Sequence, residues 1–441
     1  MDDYANLLGY SHKDYLIKRE EIRLKLEAYI AQEDNEPVVE KNDIDENIEC
    51  LIDSINDKLD RAILSQLINA AESGNKESAF ELGQLYESQN HFRKAAMIYK
   101  KLAEEGLAAA QYKLGWMYNE GIVYKRNLKK AVSWIQKSAD QEYPEAQYEL
   151  AQCYKKGIVV EANPQKAMDL YRAAALQGCV EAQLDLGLWL INEDEFEPEG
   201  ERWLQKAAEN RNMDAMFYLG DLYSNGFNGK KDLMIAAYCY HEAAKSGNPE
   251  AQYKFGDCCI SGKGLEKNVK RGLKYMLKAA ANGNMEAQYQ IGCMYYYGYN
   301  VDKNSEEAFK WLSKASEQSY GDAQTLLGRM YLNGEAVEKD INKAMELFSS
   351  AINGVEECTN AMVELGKIYS MENFPRRDLK KSFYLIEKAA KEGNAEAIFL
   401  LGQKFIKGEG VEKNTLMGFR FVLNAAFSKC KGANEYLNRY N

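Results

Sequence analysis

The amino-acid sequence predicts an all-α protein, an α/α superhelical solenoid of about ten helix-turn-helix repeats of about 36 residues each. A decapeptide is nearly duplicated, since GNPEAQYKFG at 247–256 returns as GNMEAQYQIG at 283–292. Apolar residues also recur with helical spacing in both halves of each unit. Finally, the pattern A-Q-Y-x-L-G-x-x-Y can be followed along the chain by its glycine, with Ala151 in its place once. These landmark glycines are Gly83, Gly115, Gly187, Gly220, Gly256, Gly292, Gly328, Gly366 and Gly402.

The first half of each unit reads as a helix with one apolar stripe. Ala251, Phe255 and Cys259 lie four residues apart and therefore share a helix face. The landmark glycine stands in the middle of this helix, where glycine costs about 1 kcal/mol relative to alanine. Its recurrence predicts that a second helix approaches too closely for a side chain.

The second half reads as that second helix. It begins KKAVSWIQKSA from Lys129, where the small Ala131 is followed by Trp134 and then by the small pair Ser138-Ala139. Small residues let helices approach, and large ones fill the remaining gaps. Because one helix pair cannot bury its own apolar face, we expect the units to stack into a curved, right-handed superhelix with the first helices on its concave side.

The duplicated decapeptide is a junction between helices. Gly247 suits the left-handed residue that ends a helix. Asn248 is a favourable N-cap, Pro249 fits the first helical position, and Glu250 places negative charge near the helix N-terminus. The stretch repeats because the junction that it forms repeats.

The ends of the chain depart from the repeat. We divide the sequence into an amino-terminal amphipathic helix with an acidic connection (1–43), a degenerate capping helix pair (44–74), the repeat solenoid (75–432) and a partial carboxy-terminal capping helix (433–441). The helix HKDYLIKREEIRLKLEAYIAQ, from His12, either caps the first repeat, docks elsewhere or fills the groove, and the sequence leaves these alternatives open.

The units closely resemble the SEL-one-like repeats, relatives of the tetratricopeptide repeats. The resemblance rests on AQYKFGDCCISGKGLEKN from Ala251 and IFLLGQKFIKGEGVEKN from Ile398, and it covers about residues 75–432. It implies a protein that holds other proteins as an adaptor or scaffold. Three connections depart from the family pattern, namely INEDEFEPEG, SQNHF and MENFPRRD, and these are either local recognition features or tolerated variation.

Composition argues against several function classes. The formal net charge of -11 disfavours nucleic acid and anionic membranes as partners. No run of eighteen apolar residues is present, and the acidic start does not resemble a signal peptide. The nine cysteines have irregular spacing without CxxC. We therefore expect a cytoplasmic protein with reduced thiols and no membrane span.

No motif for catalysis or for a cofactor stands out. The G-x-G stretches lack the preceding strand of a phosphate loop and read as turns between helices. The three histidines, His12, His91 and His241, lie in no nucleophile or metal motif. One alternative is zinc bound by Cys239, His241, Cys258, Cys259 and Cys293, although two of these residues occupy packing positions. We expect no metal, no cofactor and no catalytic residue.

The candidate partner-binding residues lie three before, one after and four after the landmark glycine. These positions share one face of the first helix, and we call them the first-helix stripe. Aromatic residues recur at the first position, where packing between units and contact with a partner are both open interpretations. The candidates are Tyr112, Trp116, Tyr148, Tyr253, Asp257, Tyr289, Tyr296 and Arg329.

The main hypothesis is a non-enzymatic scaffold or adaptor that binds protein partners in the concave groove. Aromatic and acidic side chains in the groove favour a segment with basic and apolar groups. One alternative is a dedicated neutraliser, an immunity or regulatory protein that covers a basic toxin or effector. Another, of a different class, is a hydrolase that uses groove carboxylates. The sequence gives neither the partner nor the oligomeric state.

Overall fold

The computed structural model of the chain describes residues 73–88, 90–192, 198–226, 231–354 and 358–437. The described part contains 21 α-helices. The expected amino-terminal helix, most of the degenerate pair and the last four residues lie outside it. The chain divides into two compact units, unit 1 (Met1–Ala243) and unit 2 (Ala244–Asn441).

The described helices of unit 1 form five helix pairs. They are α1 Lys76–Ser88, α2 Phe92–Glu104, α3 Ala108–Glu120, α4 Leu128–Ala139, α5 Pro144–Lys156, α6 Pro164–Leu176, α7 Val180–Asn192, α8 Pro198–Glu209, α9 Met213–Asn225 and α10 Leu233–Lys245, whose last two residues belong to unit 2. The pair α7/α8 confirms that the repeat around Gly187 keeps its second helix.

Unit 2 continues with the same arrangement. Its helices are α11 Pro249–Ser261, α12 Val269–Ala281, α13 Met285–Tyr297, α14 Ser305–Glu317, α15 Gly321–Asn333, α16 Ile341–Ile352, α17 Thr359–Ser370, α18 Leu379–Lys391, α19 Ala395–Lys407, α20 Thr415–Phe427 and the short α21 Lys431–Leu437. The last of these packs on α19 and α20 at the position of the expected carboxy-terminal cap.

The landmark glycines lie where two helices of a pair come closest. A methyl group added at Gly115 would lie 2.8 Å from Cγ1 of Ile135, and one at Gly256 would lie 2.8 Å from Cγ of Met276. Neither distance is compatible with packed atoms, since carbon atoms in contact lie about 3.5–4.0 Å apart. The predicted reason for these glycines is confirmed.

The predicted junction is also confirmed. Gly247 has a φ of +90°, in the left-handed region, and lies two residues after the end of α10. The side chain of Asn248 accepts a hydrogen bond of 3.0 Å from the backbone N–H of Ala251, and Pro249 is the first residue of α11. Local chemistry therefore fixes where the first helix of this repeat begins.

A buried glutamine in the A-Q-Y motif connects three helices. In unit 2, the Gln288 Nε2 group on α13 donates to the carbonyl of Ala280 on α12 at 2.9 Å. Its Oε1 atom accepts a hydrogen bond of 2.9 Å from Nε2 of Gln318, which follows α14. The same relay occurs at Gln111 in unit 1, where Gln141 is the donor. We call this arrangement the glutamine relay, a role that the sequence pattern alone did not indicate.

Candidate partner-binding face

The eight candidate residues of the first-helix stripe are all half-buried. Tyr112, Trp116 and Tyr148 belong to unit 1. Tyr253, Asp257, Tyr289, Tyr296 and Arg329 belong to unit 2. Each one is therefore partly packed against its own unit and partly open to solvent.

In unit 1 the tyrosines contact the next repeat. The Tyr148 hydroxyl on α5 donates a hydrogen bond of 3.0 Å to the carboxylate of Asp185 on α7. The ring of Tyr112 packs on Tyr143, with 5.6 Å between ring centroids. Burial raises the pKa of Tyr148, and the Asp185 carboxylate raises it further. These rings therefore have a packing role, and only part of each is left for a partner.

Trp116 is held by a different contact. The Nζ atom of Lys113 lies 5.5 Å from the centre of the Trp116 ring, and it also forms a 2.9 Å ion pair with Glu87. The indole is thus fixed by a neighbouring cation while one part of it stays exposed.

In unit 2 the structure brings Tyr253 near Asp257, and Tyr296 near Arg329. Burial raises the pKa of Tyr253 to about 12, with Asp257 as the next cause. The Tyr296 hydroxyl donates to Glu335 at 3.2 Å, and burial followed by Glu335 raises its pKa to about 12. Tyr289 instead packs on Tyr320, with 5.2 Å between ring centroids.

The two charged candidates already have partners in their own unit. Asp257 forms a 3.2 Å ion pair with Lys263 at the surface. Arg329 donates from Nε and Nη2 to Oε1 of Glu364, at 3.0 and 2.8 Å. Burial lowers the pKa of Arg329, but Glu364, together with Tyr297 and Glu396, has a larger combined effect and the pKa is raised.

The Arg329 contact extends into a charged ladder that crosses three first helices. Lys367 on α17 lies 3.2 Å from the same Glu364 oxygen and 2.6 Å from Oε1 of Glu396 on α19. We call Arg329, Glu364, Lys367 and Glu396 the charged ladder. Sequence reasoning missed both glutamates, since they lie outside the stripe positions.

The most exposed aromatic residues of this region were also missed. Tyr297 is 48% exposed and Tyr299 is 64% exposed, and their rings stack with 5.5 Å between centroids. Arg329 lies close enough to Tyr297 to lower its pKa, against the larger raising effect of burial. The tyrosine run at 295–297 was the available signal.

Unit 1 has a second feature, which lies partly at stripe positions that are not among the eight candidates. A cleft of about 340 Å³ lies between α7, α8 and α9 and is mostly apolar. Leu188, Ile191 and Leu222 line it together with the part-exposed Tyr218. Asp221 at its edge accepts a 2.7 Å hydrogen bond from the Tyr240 hydroxyl. An apolar side chain of a partner fits this cleft better than a charged one.

Little in the described residues points to catalysis or to a metal. No group of three or more His, Cys, Asp or Glu side chains in the described ranges is placed to hold a metal ion. All eight cysteines of those ranges are free. Burial raises the pKa of the Glu149 carboxyl, with Lys156 opposing the shift. None of the described helices has the length and apolar character to cross a membrane.

Comparison with known proteins agrees with this architecture. The Sel1 repeat model matches nine stretches, at 108–143, 144–179, 180–212, 214–248, 249–284, 286–320, 321–354, 359–394 and 395–426. The pair α1/α2 precedes these stretches and forms a tenth helix pair. No curated protein sequence matches the chain significantly.

Two solved structures are similar in both sequence and fold. One is a protective antigen present in uropathogenic Escherichia coli strains and displaying an SLR fold, with 28% identity, a TM-score of 0.71, and coverage of 82% of this chain and 79% of the antigen. The other is a Sel1 repeat protein from Oxalobacter formigenes, with 27% identity, a TM-score of 0.52, and coverage of 73% of this chain and 95% of that protein.

Proposed function

Because this chain belongs to the Sel1 repeat family, we propose that it is a non-enzymatic scaffold that binds a segment of another protein along its first-helix stripe. Repeat solenoids present extended surfaces of this kind, built from equivalent positions of successive units. The chain would act by holding or masking its partner, without making or breaking a covalent bond.

The observation that carries the proposal is the half-buried state of the stripe. Tyr148 is held by Asp185, Tyr289 by Tyr320 and Trp116 by Lys113. Such side chains lose little conformational freedom when a partner binds, and this favours affinity. Aromatic residues with a packed body and an exposed edge are also the residues that dominate binding energy at protein interfaces.

The chemistry of the partner segment follows from the same face. Exposed rings such as Tyr297 and the apolar cleft near Leu222 favour apolar side chains. The net charge of -11 favours basic groups at longer range. Stripe carboxylates are already used inside the protein, since Asp257 pairs with Lys263 and Asp221 accepts a hydrogen bond from Tyr240. Basic groups of a partner would therefore contribute more to the rate of encounter than to close contact.

The test is capture of partners from native cytosol, followed by reconstitution of each complex from purified proteins. Trp116→Ala and Tyr296→Ala remove half-exposed aromatic surface from the stripe and should weaken binding roughly tenfold or more each. The matched control is Tyr384→Ala, on the second helix α18, which removes an exposed tyrosine off the stripe. Circular dichroism checks that all three variants keep their helicity.

The outcomes separate the hypotheses. Loss of affinity in the stripe variants alone supports recognition by the stripe. Equal affinity in all variants contradicts it and moves the interface to the second helices or the loops. Tight one-to-one binding to a single basic toxin or effector would instead support the neutraliser alternative. Turnover of a substrate that is lost on changing Asp257 or Glu149 would support a hydrolase.

A further inference from the structure

A cavity in unit 2 combines several cationic side chains. It has a volume of about 330 Å³ and lies between α17, α18, α19 and the connection 371–378. Lys367, Arg377, Lys404 and Lys407 line it, against the carboxylates of Glu372 and Glu409. Lys367, Ser370 and Gln403 of its lining stand at stripe positions of their units, but none of them is among the eight candidates, and the inference below does not depend on the proposed function.

Lys404 is the unusual residue of this cavity. It stands two positions after the landmark Gly402 and is only 5% exposed. In the other nine units this position is apolar or cysteine. Its occupants there are Leu85, Met117, Cys153, Trp189, Leu222, Cys258, Met294, Met330 and Ile368. A buried ammonium group is costly unless something compensates its charge.

The surroundings of Lys404 compensate its charge poorly. The nearest carboxylate oxygen, Oε2 of Glu409, lies 3.9 Å from Nζ, too far for a hydrogen bond. Among the described residues, none accepts a hydrogen bond from this Nζ atom. Glu409 is also shared with Lys407, at 3.6 Å. Burial lowers the pKa of Lys404, with Glu409 opposing the shift and Lys407 and Arg377 adding to it.

Lys367 and Arg377, which also line the cavity, differ in whether carboxylates of the protein already pair with them. Lys367 is engaged by Glu364 and Glu396 in the charged ladder. Arg377 is exposed, and no carboxylate of the described ranges lies within ion-pair distance of it. The cavity therefore combines the buried side chain of Lys404 with the exposed guanidinium group of Arg377, and within the described ranges neither cation has a carboxylate within hydrogen-bond distance.

The connection that borders the cavity departs from the repeat as well. Glu372 stands six residues after its landmark glycine, where other units have a left-handed glycine such as Gly298 or Gly334. Here α17 ends at Ser370, and Met371 takes an extended conformation instead. Phe374 packs into the core and its carbonyl accepts a 3.0 Å hydrogen bond from the N–H of Arg377. Two departures from the repeat, this connection and Lys404, thus meet at one cavity.

We propose that this cavity is a binding site for a small anion with carboxylate or phosphate oxygens, in which Lys404 is the buried cation and Arg377 and Lys407 complete the coordination. The volume suits a small organic anion, since ligand sites of about 300–1,000 Å³ are usual. Hydrogen bonds between charged groups are stronger than neutral ones, so an oxyanion here replaces contacts that the protein does not supply.

The test uses the full chain and two probes, inorganic phosphate and succinate, titrated by calorimetry at low ionic strength. Saturable binding of at least one probe is expected. Phosphate alone would identify phosphate chemistry, succinate alone would identify carboxylate chemistry, and both would identify a general oxyanion site. No saturable binding of either probe would overturn the proposal.

The decisive variant is Lys404→Met, because methionine occupies the same position at Met294 and Met330. It should bind the probe roughly tenfold or more weakly, while its melting temperature without ligand is equal or higher. Lys274→Met, an exposed lysine on α12, makes the same change in charge and should bind like the intact chain. Equal binding by Lys404→Met and the intact chain would also overturn the proposal.

Discussion

Arg329 places Nε and Nη2 at 3.0 and 2.8 Å from a single carboxylate oxygen of Glu364, although the two residues are separated by 35 positions in the chain. Glu364 is buried, and Lys367 shares the same oxygen. This contact fixes the first helices α15 and α17 against each other. It also means that the charge of Arg329 is already balanced before any partner arrives.

Replacing Glu364 by glutamine should destabilise the protein. The change leaves Arg329 and Lys367 without their shared anion, and removal of one partner from a buried charged hydrogen bond costs about 1–3 kcal/mol. Urea unfolding followed by circular dichroism measures the loss. Glu387→Gln is the matched control, because its partner Lys391 is an exposed i,i+4 neighbour and such pairs contribute about 0.5 kcal/mol or less. Equal losses in the two variants would contradict a structural role of the charged ladder.

Replacing Gly292 by alanine should also destabilise the protein. The added methyl group would lie 2.6 Å from Cγ of Leu312, and overpacking of this kind costs about 1–3 kcal/mol. The helix propensity of alanine offsets about 1 kcal/mol of that cost. Gly321→Ala is the control, since its nearest neighbour, Cβ of Cys358, is 3.5 Å away. Thermal unfolding should show a lower melting temperature for the first variant and an unchanged or higher one for the second.

The glutamine relay predicts a large difference between two glutamines of the same helix, α13. Gln288→Leu removes the donor to Ala280 and the acceptor for Gln318, and the loss of buried hydrogen bonds should cost about 1–3 kcal/mol. Gln290→Leu, on the exposed side of the same helix, should change the free energy of unfolding by about 0.5 kcal/mol or less. Chemical denaturation of the two variants gives the comparison. Similar stabilities would show that the relay contributes little.

Stability should fall at alkaline pH. The folded-state pKa values of Tyr143, Tyr253 and Tyr296 are raised from 10.0 to about 12, with burial as the main cause in each case. Because the folded pKa lies above the unfolded one, this contribution to stability is complete below pH 10 and is lost as the pH rises towards 12. A titration of phenolate absorbance and helicity should show late-titrating tyrosines whose ionisation accompanies unfolding. Ionisation of every tyrosine near pH 10 with helicity intact would contradict the prediction.

The sequence was most informative where local chemistry decides the structure. Gly247 and Asn248 set the junction through backbone conformation and capping, and the landmark Gly256 marks a close helix contact. These effects depend on residues close in the chain or on one repeated packing rule. They were therefore visible in the repeat itself.

The candidate site was less predictable because exposure depends on packing between units. The stripe selected Tyr296, yet Tyr297, one position further, is the more exposed residue. One residue corresponds to a rotation of about 100° around a helix, and neighbouring units decide which side remains open. Glu364 and Lys404 were not predicted for the same reason, since their importance depends on contacts with residues from other helices. The partner-binding role of the stripe remains a prediction.

The glutamine relay also constrains how this chain can change its length. Each relay joins a residue of one repeat to the end of the preceding repeat and to the end of its own second helix, as Gln288 does with Ala280 and Gln318. A deletion that removes part of a repeat would leave a buried glutamine amide without its hydrogen-bond partners. Removal of a whole repeat instead brings together two equivalent ends. Such a chain can grow or shrink by duplication or loss of complete units while every remaining junction stays satisfied. The fold therefore favours modular lengthening, and single units remain free to acquire local exceptions such as Lys404.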